Sequence, residues 1–421
     1  MTRVLVLIRP NHAEQEGGDT VHAVRTAGAL RTLGVDVDVT GDVAPDLGSY
    51  DLVHLFNTEI IEPTFRHALR ARASGLPIVL SPVFWRGEGI REGTFSAADL
   101  NNLNRREWKM REIVVGLADV LLPNSGAEAD VMAARFPVST SDVVVARLGI
   151  DPAFAAGNGE RFCDEHELPQ RGFVLCAARL ELRKNQHRLI EACADLGFPL
   201  VLAGAEYEDR RAYADRCRTL AGERGADVRF LPHLDPTALA DAYAGARVHA
   251  LPSLWESVGL SSVEAALAGC NVVSTVHCGI REYLGDHAWY CEPESVEDVR
   301  DAVAAAFAAA PDGPAREAAA GCTWEESARA TLDGYEAAMR RRTDSEGWSA
   351  PLGRDAYIEH LESLIQLQLE TIALRDAHYA SVRESADEAI GYAKALEAER
   401  ERLEEYAHSL EEERERLGRG D

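Results

Sequence analysis

The strongest constraint on this chain is an alternation of short apolar runs with amphipathic stretches that runs once, breaks, and runs again. Residues 3–9 form a β-branched and leucine run, followed by a loop holding Gly17 and Gly18 and a helical pattern from Asp19 to Leu33. Further apolar runs at 35–40, 52–56, 77–81, 120–123 and 143–146 predict strands, with helices at 63–73 and 126–135. A polar segment, 151–171, carries Gly157, Asn158, Gly159 and Pro169 and reads as an interdomain connection. The pattern then restarts, with strands at 173–178, 199–203, 228–231, 248–251 and 272–275 and helices at 185–196, 210–223, 236–244 and 257–268. Strand-helix alternation implies parallel sheets covered by helices. The expected fold is therefore α/β, with two Rossmann-like domains, 1–160 and 161–322, facing a cleft and a closing helix over 323–342.

A third kind of sequence follows. Residues 355–418 contain no proline, and a heptad pattern places Ile358, Ile365, Ile372, Tyr379, Ala386, Ala393 and Ala407 at one seam position. Leu361, Val382, Ala389, Leu396, Leu403, Leu410 and Leu417 take the other, while Gln368, Arg375, Arg400 and Arg414 interrupt the seam. A helix from 358 to 417 would span about 90 Å at ~1.5 Å per residue, too long for an apolar seam to stay uncovered. The expectation is a long C-terminal α-helical coiled coil over 355–418 that makes a homodimer or homotrimer.

Charge narrows the partners. With 44 basic and 70 acidic residues the net charge is −26, which argues against general affinity for nucleic acid or anionic lipid. No apolar run approaches the roughly 18 residues of a membrane span. The eight cysteines form no Cys-x-x-Cys pair and sit mostly in apolar segments, the pattern of buried reduced thiols in a cytoplasmic protein.

Two stretches carry candidate chemistry. In 252–265 a strand ends, a glycine-containing turn follows, and a helix starts near Val258 with Ser257 as its expected N-cap. Backbone amides at Gly259 and Leu260 suit a diphosphate, Glu264 suits the two hydroxyls of a ribose, and Glu256 suits the hydroxyls of a sugar. Read alone, Glu256 and Glu264 also fit a solvated surface pair. In 177–186 Arg179 and Lys184 fall at the carboxyl end of a strand, where they can neutralise a departing diphosphate. Only three lysines occur in the chain, which makes Lys184 conspicuous. A solvated basic turn is the plainer alternative. Asp36-Val37-Asp38 has metal-signature spacing, but it alternates with valine inside a predicted strand and no metal site is expected there. His249 and His277 read as core or edge groups. Phosphate-loop, dinucleotide and nucleophile-elbow signatures are missing from the sequence.

Together, Arg179-Leu180 with Lys184, the Glu256-x7-Glu264 segment, and Cys278-Gly279-Ile280-Arg281-Glu282-Tyr283-Leu284 resemble glycosyltransferase family 4, retaining sugar-nucleotide enzymes of the GT-B fold. Gly17-Gly18, Asp51-Leu52-Val53-His54, Gly149-Ile150-Asp151 and Thr323-Trp324-Glu325 are similar too, so the resemblance covers about residues 1–340. It implies a metal-independent transferase using a nucleoside-diphosphate sugar and a hydroxyl acceptor, with no cofactor. Catalytic roles fall to Arg179, Lys184 and Glu256. Donor contacts come from these together with Gly17, Gly18, Leu234, Val258, Gly259, Leu260 and Glu264, the loop 231–234 lying beside the base. The chain departs from the family pattern at Ala178, at Arg147-Leu148 and at Phe56, where a second histidine is usual. On the acceptor side His54 and Trp85 are the candidates, with Phe84 as a further stacking ring. Rival readings are a silent GT-B scaffold that oligomerises through its coil and a sugar-nucleotide epimerase. Replacing Arg179, Lys184 or Glu256 is expected to spare folding.

Overall fold

A computed structural model describes residues 2–344 apart from 11, 13–16, 85–96, 207–210 and 312; Trp85 and the heptad segment 355–418 lie outside the described residues. The first sheet contains β1 (Arg3–Leu7), β2 (Asp36–Thr40), β3 (Leu52–Phe56), β4 (Ile78–Ser81) and β5 (Val120–Leu121), and the second contains β6 (Val174–Ala177), β7 (Leu200–Ala203), β8 (Val228–Leu231), β9 (Val248–Leu251), β10 (Asn271–Thr275) and β11 (Trp289–Cys291). Helices, in chain order, are α1 (Gly18–Thr32), α2 (Ile61–Ala73), α3 (Ala97–Leu117), α4 (Gly126–Arg135), α5 (Gly159–Glu165), α6 (Gln186–Leu196) and α7 (Arg211–Arg224). They continue with α8 (Pro236–Gly245), α9 (Leu260–Leu267), α10 (Arg281–Leu284), α11 (Val296–Ala308), α12 (Gly313–Ala320) and α13 (Trp324–Asp344).

Every strand pairing is parallel, in the orders β2-β1-β3-β4-β5 and β11-β10-β9-β6-β7-β8. Successive side chains of a strand leave on opposite faces. Val174 and Cys176 thus join Leu189, Cys193, Val299 and Val303 under α6 and α11, while Leu175 and Ala177 join Phe162, Ala242 and Tyr243 under α5 and α8. Both faces are apolar, so the strands read as continuous hydrophobic runs. Each sheet reverses its winding once, between β1 and β3 and between β6 and β9. Open parallel sheets bind ligands outside the carboxyl ends of strands at such points.

The chain returns to the first sheet at its end. Helix α13 packs on α1, and its buried Tyr335 and Ala338 complete the core around Val4, Val6 and Leu52. The carboxyl edges of the two sheets meet, because Asn124–Gly126 follow β5, Gly279–Tyr283 follow β10, and these loops bond to each other. No described helix is long and apolar enough to cross a membrane.

Two sequence expectations change, and the Asp36-Val37-Asp38 spacing finds its partner. The run 143–146 is no strand: it makes a single bridge, Leu121 to Val143. Asp36 and Asp38 both pair with Arg3, at 3.0 and 3.3 Å, which accounts for their spacing without a metal. The polar connection 151–171 is built into the second domain, since α5 buries Phe162 and Cys163 against α8. A Cβ on Gly157 would stand 2.1 Å from the Ala240 carbonyl oxygen, so its glycine serves close packing rather than a mobile link.

Candidate functional site

The β6 to β9 neighbourhood brings the two candidate stretches together, although about 70 residues separate them in sequence. Beyond β6 the chain makes one 3-10 turn, Leu182–Lys184, and enters α6 through Asn185 at φ 62°. Asn185 tolerates this left-handed geometry, and its buried side-chain amide donates to the Pro252 and Pro293 carbonyls at 2.9 and 2.7 Å. Lys184 is thereby aimed across the strand ends at Glu256. Its Nζ lies 2.5 Å from Glu256 Oε1, which also accepts from Arg183 Nη1 at 2.9 Å and Ser253 Oγ at 2.9 Å. Among the described residues no hydrogen bond reaches Glu256 Oε2, which leaves that oxygen open to a ligand hydroxyl.

Electrostatics follow from this enclosure. Burial pushes the Glu256 carboxyl up, but the Arg183 and Lys184 charges overcome it and hold the group at about 2. Burial pulls the Lys184 ammonium down to about 8, against the attraction of Glu256. Glu181 shares the cluster, accepting from Arg183 Nη2 at 2.7 Å with Arg179 Nη2 3.7 Å away. The Arg179 side chain keeps 34% of its surface exposed, the most open of these cations. Together Arg179, Arg183 and Lys184 outnumber the two carboxylates Glu181 and Glu256, which leaves the cluster net positive and suited to a phosphate ligand.

The helix after β9 begins later than expected. Gly259, at φ 81°, is the N-cap of α9, no side chain caps the helix, and Ser257 is not the cap. A residue with a Cβ would be strained at that φ, so glycine sets both the turn and the open N-terminus. Val258 is fully buried, backbone included, so the structure does not offer it as a donor contact. One turn further Glu264 is partly exposed and accepts from Tyr243 Oη at 3.1 Å. Burial lifts its carboxyl to about 7, with Asp151 adding to the rise and the Tyr243 bond and Arg25 opposing it. Leu234 is half-buried in the loop after β8.

In the first domain Gly17 is the N-cap of α1 and Gly18 its first residue, at the β1 end of that sheet's reversal point. Arg9 Nε bonds Asp19 at 2.9 Å and Asn57 Nδ2 bonds the same oxygen at 2.9 Å, tying the β1 and β3 ends together. His54 lies elsewhere than the acceptor edge. It is fully buried, with Nδ1 2.8 Å from Tyr335 Oη and Nε2 2.9 Å from Ser81 Oγ, and burial takes its pKa well below the usual histidine value. Both ring nitrogens are engaged inside the sheet, so no atom of His54 is offered to a substrate. Phe84 is likewise buried, against Trp108 and Phe136.

A cross-domain seam went unread in the sequence. The Glu282 carboxylate accepts from the backbone N–H of Gly126 at 2.8 Å and of Ala127 at 2.7 Å, sitting on the N-terminus of α4. Tyr283 Oη donates to Asn124 O at 2.7 Å and accepts from Leu148 N at 2.8 Å. Arg183 and Tyr243 carried no local signal beyond residue type, and the Cys278–Leu284 motif did not show that Glu282 reaches α4, because these partners are distant in sequence. All eight cysteines are free thiols, six of them buried, and among the described residues no cluster of three or more metal-ligating side chains occurs.

Comparisons with known proteins bear on the family and the fold. Residues 161–317 match the family model for glycosyl transferases group 1. The chain is 29% identical over 268 residues to D-inositol 3-phosphate glycosyltransferase 1 of Catenulispora acidiphila, covering 60% of this chain and 62% of that relative. It is 29% identical over 385 residues to glycogen synthase of Mycobacterium tuberculosis, covering 85% and 84%. Among solved structures, Anabaena Alr3699/HepE in complex with UDP and glucose superposes with a TM-score of 0.63 at 17% identity, covering 80% of this chain and 100% of that one. These matches support the glycosyltransferase group 1 family and the GT-B arrangement of two parallel-sheet domains.

Proposed function

We propose that this chain, whose second domain matches the group 1 glycosyl transferases, moves a sugar from a nucleoside-diphosphate sugar to a hydroxyl acceptor with retention and without a metal. The observation that carries the reading is the meeting of Arg183 and Lys184 with Glu256 at the β6 to β9 reversal point, with Arg179 joined to the cluster through Glu181. Arg179, Lys184 and the uncapped amides of α9 take the diphosphate, Glu264 takes the ribose, and the 231–234 loop flanks the base. Glu256 presents Oε2 to the donor sugar. As the bond from the anomeric carbon to the diphosphate oxygen breaks, the cations stabilise the charge that develops there. The acceptor oxygen bonds the same face of that carbon, and its proton passes to the leaving diphosphate oxygen. Gly17 and Gly18 place the N-terminus of α1 at the opposing edge, where its amides add to the donor site. The relatives named above and the UDP-bound neighbour support a nucleotide-sugar donor. Assembly through 355–418 and a cytoplasmic location complete the proposal.

Thermal shift with UDP-, GDP- and ADP-sugars tests it. A donor present at 100 times its Kd adds about 2.7 kcal/mol of stability. Arg179→Ala and Lys184→Ala should each lower transfer at least about 100-fold. Failure of every donor to stabilise the protein, or near-wild-type turnover in both variants, overturns the assignment. Isomerisation of the donor without any acceptor would make the protein an epimerase instead.

A further inference from the structure

The geometry points to Tyr243 as a positioning residue for the donor nucleotide: its hydroxyl holds the Glu264 carboxylate in the orientation that receives the ribose hydroxyls. This rests on the ribose role proposed for Glu264. Tyr243 lies on α8 and has no exposed surface. Its ring is wedged between Phe154 and His249, centroids 5.8 and 5.6 Å away in edge-to-face contact, while its own carbonyl accepts from the Cys270 thiol at 3.0 Å. A ring fixed on both sides can only rotate its O–H, and that hydrogen bonds Glu264 Oε2 at 3.1 Å. Among the described residues no other hydrogen bond reaches the Glu264 carboxylate. A glutamate with three rotatable bonds would otherwise have to be ordered by the ligand itself, at the expense of affinity. One oxygen is anchored by Tyr243, and the partly exposed carboxylate keeps lone pairs for a pair of hydroxyls.

The anchor also governs charge. Burial and the neighbouring carboxylate keep the Tyr243 hydroxyl protonated far above neutrality, so it is a permanent donor to Glu264. The groups facing Glu264 are Tyr243 on α8, Asp151 before α5 and Arg25 on α1, the last two paired with each other at 2.8 Å. Burial raises Glu264 to about 7 even with the Tyr243 bond in place. Without that bond the carboxyl rises further and less of it is ionised at neutral pH. An ionised carboxylate accepts ribose hydroxyls better than a protonated one, so nucleotide affinity climbs as pH passes upward through the Glu264 pKa.

The test is calorimetric titration from pH 5.5 to 9 with whichever of UDP, GDP and ADP binds wild type tightest. Protein samples are wild type, Tyr243→Phe, Glu264→Gln and the double variant, and the nucleotide's own titration cancels between them. Tyr243→Phe should bind about tenfold more weakly at pH 7, as expected for one hydrogen bond to a charged group, and its affinity midpoint should move up by about one pH unit. In the Glu264→Gln background the same change should cost less than about twofold. Should Tyr243→Phe not fold, Tyr243→Met removes the hydroxyl with a more adaptable side chain. If Glu264→Gln binds like wild type, the ribose reading itself falls. If Glu264→Gln is weakened while removal of the Tyr243 hydroxyl changes nothing, or weakens binding equally at every pH and in both backgrounds, only the positioning role is overturned.

Discussion

Glu256→Gln keeps the shape of the side chain and removes its charge, which isolates what the carboxylate does for the cations around it. In wild type one oxygen satisfies Lys184, Arg183 and Ser253, and the side chains of Glu256, Lys184 and Arg183 are only 9, 13 and 17% exposed. Removing the Glu256 charge takes the carboxylate from Lys184 in a poorly hydrated site, while Arg183 keeps Glu181, and breaking such a buried pair typically costs about 3 to 5 kcal/mol. Residual exposure favours the low end, about 3 kcal/mol, or roughly a 6 °C drop in Tm at about 2 °C per kcal/mol for a body of this size. This reverses the sequence-based expectation that folding is spared. The pH dependence has a definite sign. Glu256 titrates at about 2 in the folded protein, below its ordinary 4.5, so its stabilisation is complete above about 4.5 and disappears as pH falls through 2. Lys184, lowered to about 8 from 10.5, works the other way: it costs stability below pH 8, and that cost fades as pH rises toward 10.5. Differential scanning calorimetry of the ligand-free variant against wild type at pH 7 reads the difference. A bound nucleoside diphosphate brings new negative charge to the same cations and should narrow the gap. Lys184→Met added to Glu256→Gln should recover part of the loss. A ligand-free variant that melts with wild type, or a gap that the nucleotide widens, refutes the account.

Glu282→Ala should loosen the seam between the domains by about 1 to 3 kcal/mol, because it uncaps two amides of α4. Small-angle scattering should show a larger radius of gyration and kinetics a higher donor KM, with Glu282→Gln closer to wild type; unchanged scattering and kinetics would show that the seam does not depend on this carboxylate. EDTA should leave turnover almost intact, since cations of the chain itself are proposed to neutralise the diphosphate, whereas loss restored by magnesium or manganese would replace that account. Truncation after Arg342 should yield a monomer that still binds donor nucleotide while the full chain is oligomeric by light scattering. A monomeric full chain, or an equally oligomeric truncation, removes the heptad segment as the assembly element.

What the sequence determined by itself was everything carried by local periodicity and residue type. Alternation over a few residues marks helices such as α4 and α6 and the buried strands of both sheets, because a strand covered on both faces must be apolar at every position. Arg179, Lys184 and Glu256 stood out for a local reason, since each lies where a strand runs into a helix, and Glu264 for its spacing from Glu256. Tertiary structure alone decided which of them meet. The order β11-β10-β9-β6-β7-β8 makes β6 and β9 neighbours, and only that adjacency sets Lys184 on Glu256. A histidine reads alike in sequence whether it faces a cleft or a core, so His54 was legible as a candidate and became a buried bridge between Tyr335 and Ser81 only when α13 folded back over the first sheet. Tyr243 under Glu264, and Glu282 on α4 across 156 residues, belong to the same class. Their energies come from burial and fixed distance, and both quantities exist only once remote elements have packed together.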